Sequence, residues 1–172
     1  MMWHTHAAMG MASVWLLTPF LRADPGAAAV LTVFAVAGAM VPNLDAVESK
    51  VKHVKVCGIK PLVPVAVAIS HEFGHRKLLH SLRGWMIWTL LISPLVLWLG
   101  IVPVAALSLG YASRLVGDAC TRSGIPLLYP KQDRFHMFPQ RWRVITGSEY
   151  EDFFFAGFAL GAIAMLLEHL VS

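Results

Sequence analysis

Charge is scarce in this chain. Of its 172 residues only 14% are Asp, Glu, Lys or Arg, while 57% are hydrophobic, against roughly 25% charged and 45–50% apolar in an average soluble domain. So little charge cannot cover a soluble domain of this size, and the composition reads as a small integral membrane protein. At this length a single domain spanning residues 1–172 is expected. Cysteine is scarcer still. Cys57 and Cys120 form neither a CxxC pair nor a disulfide ladder, which excludes a disulfide scaffold, is compatible with a reduced intracellular setting and leaves both as packing residues. No Lys or Arg stands within Met1–Gly10 ahead of the first apolar run, so the pattern of a cleavable secretory signal is missing and the N-terminal segment is expected to be retained. Internal repeats and low-complexity segments are missing too.

What is present is a series of apolar runs at about 7–21, 27–44, 85–101, 102–117 and 153–171, separated by turn or charge signals. They predict an all-α polytopic membrane bundle of four to five transmembrane helices. With about 1.5 Å of rise per residue, a roughly 30 Å hydrocarbon core takes about 20 residues. The first and fourth runs are therefore short for a straight crossing and are expected to tilt, to extend into their flanks or to be partly buried. Residues 61–70 are too short and too proline-broken to cross, and read as a re-entrant or interfacial segment.

If all five runs cross, the N-terminus and the 45–84 and 118–152 loops share one side. Every one of the 14 Lys and Arg residues except Arg22 falls there or at its boundary, which makes that side cytoplasmic by the positive-inside rule. Between Pro126 and Arg143 aromatic and basic residues alternate, with Phe135, Phe138 and Trp142 among Lys131, Arg134, Arg141 and Arg143. This suits a loop lying in the headgroup layer, with membrane lipid as its partner rather than nucleic acid.

On the same side lie the residues able to do chemistry: His6, Asp45, His75, His80 and Asp118. Imidazoles and carboxylates are costly near hydrocarbon, so several at the ends of apolar runs suggest a shared task. His71-Glu72-Phe73-Gly74-His75 matches H-E-x-x-H, in which two imidazoles one helical turn apart hold zinc and the glutamate, here Glu72, acts as general base. Gly74 and the prolines at 61 and 64 work against a regular helix there. His75 and His80, five apart, lie about 140° around an ideal helix and share one ion only if the helix bends or ends between them. Arg76 falls four residues before His80, on its face, where a planar guanidinium could bind phosphate or carboxylate. Among the other residues His4, His53, His136 and His169 read as interfacial, and Thr121 as a hydrogen-bonding neighbour of Asp118. Asp45 could instead cap a short helix through 46–52.

A wider set of residues carries a resemblance. Thr5-His6 with Gly10, Pro42-Asn43-Leu44-Asp45, Phe73-Gly74-His75-Arg76 with His80-Ser81-Leu82, Leu109-Gly110-Tyr111-Ala112-Ser113, and Asp118 with Thr121 occur in order. They are followed by Gly124-Ile125-Pro126-Leu127-Leu128-Tyr129-Pro130, Thr146-Gly147-Ser148 and Glu151. Together they closely resemble the YdjM-like family, whose members are described as LexA-regulated, membrane-bound, metal-dependent hydrolases of the bacterial inner membrane. The resemblance implies a divalent metal, most plausibly zinc, held by His6, Asp45, His75, His80 and Asp118. Asp118 would serve as ligand or orienting base, Arg76 would meet an anionic group, and the substrate would be a small-molecule or lipid ester or phosphoester.

One position departs from the pattern. Where the family carries Ser-His before the aspartate, this chain reads Ser113-Arg114, and arginine has no lone pair to give a metal. Either a ligand is lost or His71 or His4 replaces it, and Arg114 and Asp118, four apart, could form an ion pair. Two other classes follow from these features: an intramembrane metalloprotease using Glu72, and a non-catalytic inner-membrane accessory protein with a degenerate site.

Overall fold

The computed structural model describes residues 1–17, 24–45 and 77–171. Helix α1 spans Trp3–Trp15. Asp24 begins α2, Pro25–Met40, by accepting the Ala27 N–H at 3.0 Å, with Pro25 in the first turn where its missing N–H costs nothing. A 3-10 turn, Val41–Asp45, follows. The next described segment opens with a 3-10 turn at Leu78–His80, and Ser81 then caps α3, Leu82–Ile92, by accepting the Gly84 N–H at 3.2 Å.

The apolar run expected at 85–101 is interrupted. A 3-10 turn at Ser93–Leu95 containing Pro94 separates α3 from the single turn α4, Val96–Leu99. Gly100 then reverses the chain with φ +80°, a left-handed conformation that favours glycine. Helix α5 runs Ile101–Ala119 and α6 Glu149–Val171, the latter with Glu149, Glu151 and Asp152 in its first turn, where carboxylates complement the helix dipole. Between these two helices, two isolated bridges, Thr121 with Val144 and Ile125 with Phe135, fold the loop back on itself. There is no strand among the described residues.

The chain is thus all-α where it is described. Gly26–Asn43 and Leu82–Leu99 are long and apolar enough to cross a membrane. Much of the second segment faces outward, with Leu90, Leu91, Leu97 and Trp98 all largely exposed, as a surface solvated by lipid requires. Helix α1, at 13 residues, is shorter than the run that announced it. The interfacial stretch 61–70 and the short helix at 46–52 lie outside the described residues.

Helix α1 packs among α2, α5 and α6, and α2 lies along α5. In lipid there is no hydrophobic gain in bringing two apolar helices together, so association rests on close van der Waals contact, which small residues permit. The α2–α5 contact shows how close. A methyl group on Gly110 would collide with the carbonyl oxygen of Ala35, and one on Gly38 with that of Leu107. Gly10 brings α1 against the same place, with Ala35 and Ala39 as its neighbours. Ala28, Ala35 and Ala39 are fully buried along α2. Larger side chains fill the flanks, where Val14, Leu31, Ala35 and Ala106 form one cluster and Trp15, Ala28 and Ala162 another.

Gly38→Ala and Gly110→Ala are each expected to destabilise the bundle by about 1–3 kcal/mol or more, because backbone rather than a flexible side chain meets the new methyl. Gly161→Ala, with open space around it, is expected to be neutral or to stabilise by up to about 1 kcal/mol through helix propensity. Thermal unfolding in detergent, followed by circular dichroism, separates the two classes, and equal shifts for all three would refute the close α2–α5 contact.

Candidate functional site

The described chemistry gathers around Asp118, in the last turn of α5. Its Oδ2 lies 3.0 Å from His80 Nδ1 and 3.5 Å from Arg114 Nε, and its Oδ1 lies 3.1 Å from His6 Nε2 and 3.3 Å from the Met1 amino nitrogen. All three side-chain partners are buried, His6 completely. Three separate parts of the chain therefore converge on one carboxylate: α1 through His6, the Leu78–His80 turn through His80, and α5 itself through Arg114.

Local structure explains each placement. Gly117 lies beneath His6 and two methionines, where a methyl group would meet Met9 Sδ at 2.8 Å, Met1 Sδ at 3.2 Å and His6 Nδ1 at 3.3 Å, so the missing side chain at 117 lets all three pack there. His80 is fixed by its turn. Tyr111, fully buried in α5, donates its hydroxyl to the Leu79 carbonyl at 2.6 Å, and a methyl on Gly84 would collide with the Leu78 carbonyl. Arg114 is one helical turn before Asp118 and donates through Nη1 to the Ala39 carbonyl at 3.2 Å, tying the site to the end of α2. The Thr121 hydroxyl donates to the Asp118 backbone carbonyl at 2.7 Å, the neighbouring role expected of it.

The N-terminus of α1 is held from the other side. Fully buried Glu151 accepts the backbone N–H groups of Met2 and, at 2.7 Å, Gly147. Burial alone would raise its carboxyl. The two N–H donors, then the amino terminus and Thr5, outweigh that and hold it below the ordinary glutamate value. Cys120, just past α5, goes the other way: burial, then the charge of Asp118, raise its thiol, which suits packing rather than nucleophilic attack.

Of the residues that the sequence singles out, His6, His80 and Asp118 meet, and the Arg114–Asp118 ion pair forms. His4 turns away, its Nε2 lying 3.9 Å from Asp152 and its ring against Phe155, and stands apart from the Asp118 cluster. His136 stays in the loop, its Nε2 3.2 Å from the Arg122 carbonyl. Glu72, His71, His75 and Arg76 lie outside the described residues, as does the side chain of Asp45, whose backbone ends the 3-10 turn after α2. The roles of Glu151, Tyr111 and Gly117 went unread in the sequence. Only their membership of ordered motifs, or their small size, marks them there.

Among the described residues, no three His, Cys, Asp or Glu side chains are arranged to hold a metal ion by themselves. The donor types nevertheless fit one. Neither ring nitrogen of buried His6 has a well-aligned hydrogen bond among the described residues, and its Nε2 lies 3.1 Å from Asp118 Oδ1. A buried polar atom without a partner is costly, and an imidazole lone pair aimed beside a carboxylate and a second imidazole suits a divalent ion.

The sequence matches the family described as YdjM inner membrane protein over residues 1–170. It is similar to a protein of Bacillus subtilis (strain 168) described as uncharacterized protein YvsG, with 29% identity over 158 residues that cover 92% of this chain and 89% of that one. No solved structure matches.

Arg114→Met is expected to cost about 3–5 kcal/mol, because it leaves a buried carboxylate with less compensation. Arg114→Met combined with Asp118→Leu is expected to recover much of that loss. Unfolding of these two variants and of Asp118→Leu alone in detergent gives the coupling, and additive losses would show that Arg114 does not balance the Asp118 charge.

Proposed function

Because the chain belongs to the YdjM inner membrane protein family, we propose that it is a multi-pass bacterial inner-membrane protein, crossing four or five times, that hydrolyses an ester or phosphoester with the help of a divalent metal at the cytoplasmic membrane face. The observation that supports this reading best is the buried His6–Asp118–His80 cluster, in which two imidazoles and a carboxylate meet out of water and His6 has no well-aligned hydrogen bond among the described residues. His6, His80 and Asp118 would hold the metal together with Asp45 and His75, and the nitrogen-rich set suits zinc. When bound, such an ion supplies Lewis-acid polarisation of the scissile group and a more acidic water.

The chain's own groups do the rest. Asp118, accepting from His80 through Oδ2, keeps that imidazole beside the carboxylate and His6. Arg114 balances the carboxylate so that the site does not carry an uncompensated charge out of water. Arg76, in the segment before His80, would meet the anionic part of the substrate. Because the cluster lies at the ends of apolar helices, a lipid or another membrane-partitioned ester is the natural substrate class.

One observation favours a second reading. Arg114 already supplies positive charge beside Asp118, which makes a non-catalytic accessory protein with an ion-paired polar core the main competitor. A metalloprotease would instead depend on Glu72.

Metal content and hydrolysis, measured on detergent-purified protein, decide among these. The hydrolase reading expects about one zinc per chain, lost in the Asp45→Ala, His80→Ala double variant together with turnover of phospholipid or phosphoester substrates. Glu72→Gln should leave that turnover largely intact, and its abolition would point to the protease. No stoichiometric metal in the parent protein, with unchanged behaviour in the double variant, would refute the hydrolase and leave the accessory reading.

A further inference from the structure

A second feature lies on another face of α5. Ile101, Ala105, Ser108, Ala112, Leu115 and Ala119 recur at three- and four-residue spacing and form one stripe along the helix. Between this stripe and the Leu82–Leu99 rod runs an apolar hollow of about 420 Å³, bordered by Trp85, Thr89 and Val96. It adjoins a second hollow of about 260 Å³ that shares Trp85 and Ala112 and ends against Phe135 and Met137 of the loop. From Ile101 to Ala119 the stripe is about 27 Å long at 1.5 Å per residue, close to the roughly 30 Å thickness of the hydrocarbon core. Alanines at 105 and 112 keep its floor low, so that a slender chain could lie near the helix backbone there, while Leu115 and Ala119 are buried at its far end. Trp85 Nε1 donates to Ser108 at 3.0 Å and the Thr89 and Ser108 hydroxyls meet at 2.7 Å, so the polar groups along the groove satisfy one another.

The two ends differ in charge. From Trp85 to Ser113 there is no Asp, Glu, Lys or Arg, which leaves the Ile101 end neutral. At the other end Arg83 follows the lining residue Leu82, Arg134 precedes the lining residue Phe135, and Arg122 and Lys131 lie in the same loop. All four are exposed, with Asp133 as the exposed acid among them. Arg134 is anchored, donating through Nη1 to the Ser123 carbonyl at 2.8 Å, and Phe135 is fixed by its bridge to Ile125. Arg134 is therefore held in place next to a residue that lines the groove.

We propose that this groove binds an anionic phospholipid, with an acyl chain along the α5 stripe and the phosphate at the Arg83, Arg122 and Arg134 end. Apolar contact alone does not distinguish one lipid from another, since bulk lipid is as apolar as the groove. Selectivity comes from the headgroup charge meeting basic side chains. The groove lies about 100° around α5 from Asp118, so this site is separate from the His6–Asp118–His80 cluster and does not depend on the hydrolase reading.

The test is native mass spectrometry of the full chain, stripped of metal by chelation and exchanged into neutral detergent with equimolar phosphatidylglycerol and phosphatidylcholine. The expected result is a phosphatidylglycerol adduct at least about tenfold more abundant than the phosphatidylcholine one, not displaced by excess inorganic phosphate. The preference should vanish in Arg122→Gln/Arg134→Gln, two exposed changes that spare the core, and Ala112→Phe should lose both adducts. Equal adducts in the parent protein, displacement by phosphate, or an unchanged preference in the arginine double variant would overturn the proposal. So would an undiminished adduct in a folded Ala112→Phe protein. If Ala112→Phe does not fold, the arginine variant decides alone.

Discussion

A carboxylate held out of water needs a donor or a positive charge at each oxygen, and at Asp118 that need organises the surrounding structure. One oxygen meets the Met1 amino group and His6, and the other faces His80 and Arg114, so a single side chain in the last turn of α5 draws in the start of α1 and the turn before α3. Arg114 carries the connection further, to the Ala39 carbonyl at the end of α2. The network joins elements far apart in sequence by polar contacts, which in lipid must supply specificity that apolar contact does not.

That network can form only because the helices beneath it approach unusually closely. Gly38 and Gly110 let α2 and α5 meet backbone to backbone, Gly10 brings α1 to the same crossing, and Gly117 leaves space for Met9, Met1 and His6. Small residues at the crossing and charged residues at its end are thus two halves of one design: the first sets the distance between helices, and the second uses it. Glu151 completes the arrangement from α6, fixing the backbone of the first residues of α1 that carry His6 into the site.

Much of this was legible in the sequence. The apolar runs marked the helices, because the runs and the structure answer to the same constraint of satisfying every backbone group within a segment. The four-residue spacing of Arg114 and Asp118 announced their ion pair, and Thr121 was rightly read as a neighbour of Asp118. Other features were hidden for physical reasons. The break at Ser93–Leu95 within an apolar run depends on Pro94 and on the reversal at Gly100, and hydropathy registers neither. A glycine that admits a neighbouring helix looks the same in sequence as Gly161, which meets nothing. His4 and His6 stand two apart, and only the phase of α1 decides that one is buried against Asp118 while the other lies beside α6.

The central proposal is that His6, His80 and Asp118 share one ion. X-ray absorption at the zinc edge of the metal-loaded, detergent-purified protein tests it most directly. The account predicts scattering from at least two imidazole rings with nitrogen and oxygen neighbours at about 2.0–2.2 Å. A sulfur shell at about 2.3 Å, or an oxygen-only shell without imidazole scattering, would contradict it.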